Sequence, residues 1–436
     1  MRYKKQIILF TIISVLLSFS LLYWAGTFSE NGNQTNEDTN GNETSSVMWT
    51  KNYGSTSADV AYSLVETSDG GYALAGYTRD WDNPEKNDNF WLVKTDANGN
   101  MEWNQTYDKG FHETAHSLVE TVDGGFALAG SINYVTIGRG SSPPSKDVWL
   151  VKTDKKGNLE WNKVYGGVES DSAHSLILTS DGGYAIAGGT YSFGAGDNDF
   201  WLIKTDSSGN MEWNQTYGGN GTDSASCVVQ TSDGGFALAG STESFDDKDT
   251  DFLLIKTDPN GSMMWNQTYG ETNIQYASSL VVTSDGGYAI AGSTGSYEFL
   301  GSRDYWLIKT DPNGNMEWNK TYIGPFIESA SIEQVSSLVI TSDDGFAILG
   351  DTYYTDPLDS SVVIGHQVWL VKTDVLGNIN WNQTYTGTDA NSLIETSDGG
   401  YAFAGETNSF GNSRPDFWLV KTDPNGNIPV SPVSSS

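Results

Sequence analysis

Residues 90–107 read FWLVKTDANGNMEWNQTY, and this stretch decides the fold. Two short apolar and aromatic runs, 90–95 and 101–107, flank a polar turn at 96–100. Aromatic and β-branched residues in short runs bounded by Gly, Asp and Asn are strand signals. In the turn, the Asp96 carboxylate can accept backbone N–H bonds and Gly99 can adopt a left-handed conformation. Upstream lie two similar runs, 63–67 and 72–76, joined by Asp69-Gly70-Gly71, a tight-hairpin sequence. Four strands thus make one unit.

The unit recurs along the chain. Trp49, Trp103, Trp161, Trp213, Trp265, Trp318 and Trp381 follow one another at intervals of 54, 58, 52, 52, 53 and 63 residues. The Lys-Thr-Asp triplet ending at Asp96 returns at Asp154, Asp206, Asp258, Asp311, Asp374 and Asp423. The Asp-Gly-Gly turn returns at Asp123, Asp181, Asp233, Asp285 and Asp398, and as Asp343-Asp344-Gly345 in one copy. A fixed period of this length marks a repeat architecture. Third strands such as Phe200-Trp201-Leu202-Ile203 are apolar at neighbours that point opposite ways, as in a strand covered on both faces. Four-stranded antiparallel sheets stacked face to face around an axis are the blades of a β-propeller. The seventh copy lacks a fourth-strand Trp, and the missing strand stands at the other end as residues 47–53. The expected fold is therefore all-β: a seven-bladed propeller over 47–428, its ring closed by the N-terminal strand, which removes the edges a solenoid would have to cap.

The repeat Asp-x-x-Gly-x-x-x-Trp, as in Asp96, Gly99 and Trp103, resembles the tryptophan-docking repeat of quinoprotein-like propellers, and repeat propellers of exported archaeal and bacterial surface proteins. The Asp-to-Gly spacing is one residue shorter than in the quinoprotein repeat. Quinoprotein dehydrogenases resemble one another in having eight blades and a disulfide between adjacent cysteines beside the quinone. Here seven units and a lone Cys227 stand instead, so the resemblance implies the fold and no quinone.

Outside the repeats, Arg2, Lys4 and Lys5 precede an uncharged stretch whose apolar part, 7–28, would be about 33 Å long as a helix, enough to cross a bilayer. Bulky Tyr23 and Trp24 disfavour the cleavage positions of a signal peptide, so 1–28 is read as an uncleaved signal-anchor before a cleaved signal. Basic residues ahead of the span leave the body outside the cytoplasm, anchored to the membrane, or secreted if cleavage occurs. Residues 29–46 are a polar, disordered spacer and 429–436 a flexible tail. Of the 23 basic residues, 20 follow the span, against 55 acidic ones, which excludes a surface for nucleic-acid phosphates. One cysteine excludes an internal disulfide and cysteine-rich zinc sites. Cys227 fills a slot that is Ser in the six other copies, Ser63 among them, and reads as a small packed residue.

His116 and His174 occupy one slot in adjacent units, at the start of the innermost strand, with Tyr62 as a counterpart. Glu113 and Asp171 lie three residues earlier. Together they are expected to form a polar, acidic ring at one channel mouth, able to hold a cation or a ligand. Connections between second and third strands vary most in length and carry aromatics; Trp81, Tyr134, Tyr353 and Tyr354 are the expected contact residues. Asp246, Asp247, Asp249 and Asp251 are weak metal candidates, calcium being the cation they would take. No other cofactor is expected. Nine glycosylation sequons occur, at Asn33, Asn42, Asn104, Asn214, Asn220, Asn260, Asn266, Asn319 and Asn382. The chain has no Gly-x-Ser-x-Gly elbow, His-Glu-x-x-His or phosphate loop. The expected function is a surface-displayed propeller that binds a cell-surface protein, glycan or matrix component without catalysis. The alternatives are a polysaccharide-active hydrolase or lyase, or a divergent quinoprotein, at the channel mouth, and a lattice or envelope scaffold.

Overall fold

The computed structural model describes residues 48–54, 58–79, 87–134, 145–245, 249–270, 274–295, 303–324, 331–356, 359–408 and 414–429. The membrane segment, the spacer, nearly all of the tail, Trp81, Asp246, Asp247, Asn33 and Asn42 lie outside the described residues, as does the side chain of Tyr134. Among the described residues there are strands and no helix, so none is long and apolar enough to cross a membrane.

The strands pair into four-stranded antiparallel blades of a β-propeller. Six blades are continuous, at 58–107, 112–165, 171–217, 223–269, 275–322 and 331–385, and are called blades 1 to 6. Blade 7 contains Asp389–Glu395, Tyr401–Thr407 and Asp416–Lys421, and its fourth strand is Trp49–Tyr53, with Trp49 opposite Lys421 and Tyr53 opposite Phe417. Blades 5 and 6 are also joined by one parallel bridge, Arg303 to Ile332. Each inner strand touches the inner strands of two neighbours, and the first blade touches the last. There, Leu64 N–H donates to Ser392 Oγ at 3.1 Å and Asn391 Nδ2 donates to Ala61 O at 2.9 Å.

Three devices recur from blade to blade. The first explains the tryptophans. Trp49 lies over Gly99 of the next blade, where φ is +71° and an added Cβ would meet the indole at 2.6 Å. Beside it, Tyr53 Oη donates to Gly99 O at 2.7 Å, and Trp49 meets Tyr72 edge-on at 5.6 Å. The same docking links Trp103 to Gly157, Trp161 to Gly209, Trp213 to Gly261, Trp265 to Gly314, Trp318 to Gly377 and Trp381 to Gly426. Only a left-handed glycine lets an aromatic face approach the turn so closely.

The second device explains the Lys-Thr-Asp triplet. Lys152 is 5% exposed, yet its ammonium donates to Thr153 O at 2.7 Å and to Asp123 and Glu160, both at 2.9 Å. It therefore ties the inner hairpin turn to the outer strand, as Lys94, Lys204 and Lys309 also do, while Lys256, Lys372 and Lys421 keep the pairing with the turn aspartate alone; in each case the buried charge is paired, as burial requires. The Thr121 hydroxyl, with the Lys152 ammonium, holds the Asp123 carboxyl at about 2 against the upward push of burial.

The third device is a bulge. Every inner strand slips register by one residue, at Tyr62, His116, His174, Ser226, Ser278, Ser336 and Asn391. A bulge disrupts the ladder locally and re-aims a side chain. Here the bulged side chain reaches the next blade: Ser226 Oγ donates to Ala277 O at 2.8 Å. One position later, the repeat Ser accepts a backbone N–H across the junction, as Ser117 does from Leu176 at 3.0 Å. Cys227 contacts Leu280 O instead, at 3.7 Å, which fits its reading as a packed residue.

The third strands are covered on both faces as expected: Phe200, Trp201, Leu202 and Ile203 are 0–2% exposed. Strand limits differ from the expected ones. Inner strands begin earlier, as in Ala58–Glu66, because polar residues such as Asp59 still pair across to the second strand. The connection expected to carry Tyr353 and Tyr354 is largely a hairpin, Phe346–Asp356 with Asp359–Thr373. It continues the pairing of blade 6 outward through residues that apolar patterning does not mark as strand.

Asp344 stands at φ +60°, where the other inner hairpins have glycine, and is the one non-glycine residue at positive φ among those described. Two substitutions test the turn chemistry. Gly99→Ala should cost roughly 2–4 kcal/mol, from left-handed strain plus overlap with Trp49. Asp344→Gly should be neutral or stabilising by up to about 1 kcal/mol. Equilibrium chemical denaturation of the two variants measures both.

Candidate ligand site at the channel mouth

The sequence-selected residues divide into three places. Tyr62, His116 and His174 do gather, with ring centroids 5.2 and 6.0 Å apart along the channel wall. As bulge residues they face the next blade. His174 Nδ1 stands 2.8 Å from Ala225 O, the contact Ser226 makes to Ala277 one blade on, which assigns the proton to Nδ1. Burial pulls the His116 imidazole down to about 3, with His174 adding to it, and burial also lowers His174. Burial thus favours the neutral form of both, and both build the wall.

Glu113 and Asp171 do not join them. Each is buried at a junction between blades, 0% and 1% exposed. Asp171 accepts from Thr190 Oγ1, from Ser192 Oγ at 2.8 Å and from Gly167 N at 2.8 Å, so it organises a connection. Glu113 accepts the N–H groups of Phe111 and Lys109 at 3.0 and 3.3 Å, and burial raises its carboxyl to about 8. The expected acidic ring at the mouth is corrected to a row of carboxyls sunk between blades. These strand positions face a neighbouring blade rather than the channel, because the pleat alternates and the bulge lies between them and the histidines. In the same row Asp147 faces Asp171 beside Gly166.

Tyr353 and Tyr354 lie on the second strand of blade 6 and not on a loop. The Tyr354 ring covers Gly365 across the hairpin. Tyr353 stacks on His366 with centroids 3.9 Å apart, and its hydroxyl donates to Asp389 at 2.7 Å. Of the acidic run, Asp251 is 7% exposed at the junction beside Gly270. Neither Asp249 nor Asp251 belongs to a cluster with metal-ligand geometry among the described residues. The sequons at Asn104, Asn214, Asn266, Asn319 and Asn382 lie on fourth strands, and Asn220 and Asn260 lie in connections. Asn104 Oδ1 accepts the Trp91 indole N–H at 3.1 Å. Asn162, which is no sequon, does the same for Trp149 at 3.2 Å, so this hydrogen bond accounts for the repeated asparagine.

Two features of the mouth were missed. One is a cavity of about 500 Å³ over blades 4 to 6, lined by hydroxyls including Ser224, Ser226 and Ser278 and by Glu243, Tyr276 and Arg303. Tyr276 is 39% exposed, and the Arg303 guanidinium lies 4.9 Å from its ring centroid. The other is a group at blades 6 and 7: Asp351, His366, Asp389 and Glu406. Asp351 accepts Ala390 N–H at 3.1 Å, the role Ser241 and Ser293 play toward Ala277 and Val335. Glu406 sits opposite Asp389 in the ladder. Burial raises Asp351 to about 7; burial and then Asp389 raise Glu406. A slot-by-slot alignment of the repeats carries the signal. After the second-strand glycine stand Tyr77, Ser131, Gly189, Ser241, Ser293, Asp351 and Glu406, acidic only in blades 6 and 7.

No protein-family model and no curated protein matches the chain. Among solved structures it is similar to the WD40 β-propeller domain of Doa1, at 13% identity over 87% of this chain and 97% of that one, TM-score 0.47. It is also similar to the periplasmic gluconolactonase PpgL of Pseudomonas aeruginosa, at 10% identity over 85% and 98%, TM-score 0.43. A third is the quinohemoprotein alcohol dehydrogenase ADHIIG of Pseudomonas putida HK5, at 9% identity over 87% and 78%, TM-score 0.41. The likeness is one of propeller architecture. It carries no activity to this chain.

The carboxyl row yields a pH prediction. Burial, then Asp171, raises Asp147 from 3.8 to about 6. The folded state therefore holds its proton more tightly than the unfolded state, and stability falls as pH rises through about 4 to 6. Asp147→Asn should raise the unfolding midpoint at neutral pH and flatten the profile across that window, as read by thermal melts at stepped pH.

Proposed function

We propose that this chain is an exported, membrane-anchored propeller of seven blades in a closed ring, and that it binds a polyhydroxylated, surface-borne ligand at its channel mouth without chemical turnover. The membrane helix at 1–28, the extracytoplasmic location and glycosylation of the rim belong to the same proposal. The observation that carries it is the cavity beside Tyr276 and Arg303. Its volume falls within the range of small-ligand sites. Serine and threonine hydroxyls suit the hydroxyls of a sugar, an exposed tyrosine offers a face for a pyranose ring, and a guanidinium adds a fork for a carboxylate or sulfate. The ligand class is therefore a glycan, free or on a cell-surface protein, with acidic sugars favoured. The strongly acidic body makes nucleic acid a poor partner.

One observation favours a second reading, a glycan hydrolase. Asp389 accepts from Tyr353, while neighbouring Glu406 has its carboxyl pushed up by burial. A carboxyl kept protonated by burial beside a second carboxyl is the arrangement from which that chemistry draws its general acid.

A panel of neutral and acidic oligosaccharides, scored for both retention and cleavage, tests the two. Retention without cleavage, weakened at least tenfold by Arg303→Ala or Tyr276→Ala, is the expected result. Cleavage abolished by Glu406→Gln would replace binding with hydrolysis, and an Arg303→Ala variant that retains every oligosaccharide unchanged would remove the cavity from the account.

A further inference from the structure

We infer that Asp351, His366 and Asp389 form a binding site for one divalent transition-metal cation, of which zinc is the best match. The inference deepens the proposed function and rests on it for the role of the site, since the cation would stand at the same mouth. The site itself is argued from geometry.

One ligand atom from each residue lies within 4.8 Å of the other two. His366 Nε2 stands 3.4 Å from Asp389 Oδ1 and 3.7 Å from Asp351 Oδ1. Bonds of about 2.0 Å at tetrahedral angles place neighbouring ligand atoms about 3.3 Å apart, so these separations are close to the edges of a filled coordination shell. His366 Nε2 is shielded from solvent and faces both carboxylates at separations too long for a well-formed hydrogen bond. The ring nitrogen is thus aimed at the two carboxylates from the distance at which a shared cation would hold all three. Among the described residues, no lysine or arginine pairs with Asp351 or Asp389, and the His366 imidazole is the basic group between them.

The surroundings hold the three in place. Tyr353 covers the His366 ring and donates its hydroxyl to Asp389, and Ala390 N–H donates to Asp351. Partners of this kind fix ligand orientation in metal sites. Glu406, opposite Asp389, is a further carboxyl beside the site. The imidazole selects the metal class: calcium and magnesium take oxygen ligands, whereas zinc accepts one histidine with carboxylates. A cation here would let vicinal sugar hydroxyls or a carboxylate complete its shell.

The full chain, stripped with a chelator that is then removed, is titrated with zinc chloride by calorimetry, and its melting point is recorded with and without zinc. The expected result is one zinc per chain and a higher melting point. His366→Gln and Asp389→Asn should each weaken binding at least tenfold while melting like the parent without zinc. His112→Gln, which alters the separate His112–Asp88 pair, should bind as the parent does. Absence of stoichiometric binding, or a His366→Gln chain that binds zinc unchanged, overturns the site. Oligosaccharide retention is then measured with zinc and with chelator. Retention that survives the chelator removes the cation from recognition and leaves the ligand cavity standing. Zinc bound with no oligosaccharide retained supports the metal site and overturns the proposed function.

Discussion

Each fourth-strand tryptophan rests on a turn glycine that belongs to the next blade. This contact governs the rest of the structure because it makes a local sequence motif into a joint between blades. A four-stranded sheet that is apolar on both faces cannot stand alone, and the docking fixes how the next sheet lies on it. The glycine must be left-handed to leave room, the tyrosine hydroxyl marks the height by reaching that glycine's carbonyl, and the aspartate that begins the turn holds it with backbone hydrogen bonds. Trp49 makes the same joint across the chain ends, onto Gly99. The N-terminal strand is therefore fastened in blade 7 by its ladder to Asp416–Lys421 and in blade 1 by its indole.

This is why so much of the fold was legible. The signals that define a blade (Asp-x-x-Gly-x-x-x-Trp, the two-glycine hairpin, the doubly apolar third strand) are short-range, and repetition multiplies each of them. The buried lysine was not legible in the same way. Lysine is seldom buried, and Lys152 is so only because Asp123 and Glu160, 29 and 8 residues away in sequence, converge on it. The triplet was visible, but its work as a clamp needed the pairing of strands to bring its partners in. Strand limits failed for a related reason: polar residues near the mouth pair in the ladder as well as apolar ones do, and only the apolar ones leave a period-two trace.

The candidate site was half legible. His116 and His174 stood out as departures from serine in one slot, and they do meet. Their bulge turns them toward the neighbouring blade, so their chemistry goes to the wall of the channel. Asp389 and Glu406 went unnoticed because an acidic residue attracts no attention in a chain with 55 of them. His366 went unnoticed because its segment read as a loop; the long hairpin of blade 6 is what brings it over Asp351 and Asp389. Side-chain direction after a bulge and proximity across a blade junction are three-dimensional facts with no one-dimensional signature.

Repetition also says where to look for function. In a structure built of repeated blades, a residue that appears in every blade is explained by the blade. Only a departure from the repeat can be explained by something outside it. One set of departures lies on a single arc of the mouth. Tyr276, Gln334 and Asp389 occupy one slot in blades 5, 6 and 7, while blades 1 to 4 have Val60, Thr114, Ser172 and Ser224 there. Opposite them in the ladder are Ser293, Asp351 and Glu406. Near-equivalent backbones thus present, in this pair of slots, aromatic and ionisable groups on blades 5 to 7 with a guanidinium and an imidazole alongside, while blades 1 to 3 carry Tyr62, His116 and His174 in the bulge slot. The tryptophan–glycine joints do not involve these slots, so the repeat lets their side chains differ, even where Ser293 and Asp351 each accept a backbone N–H from the next blade.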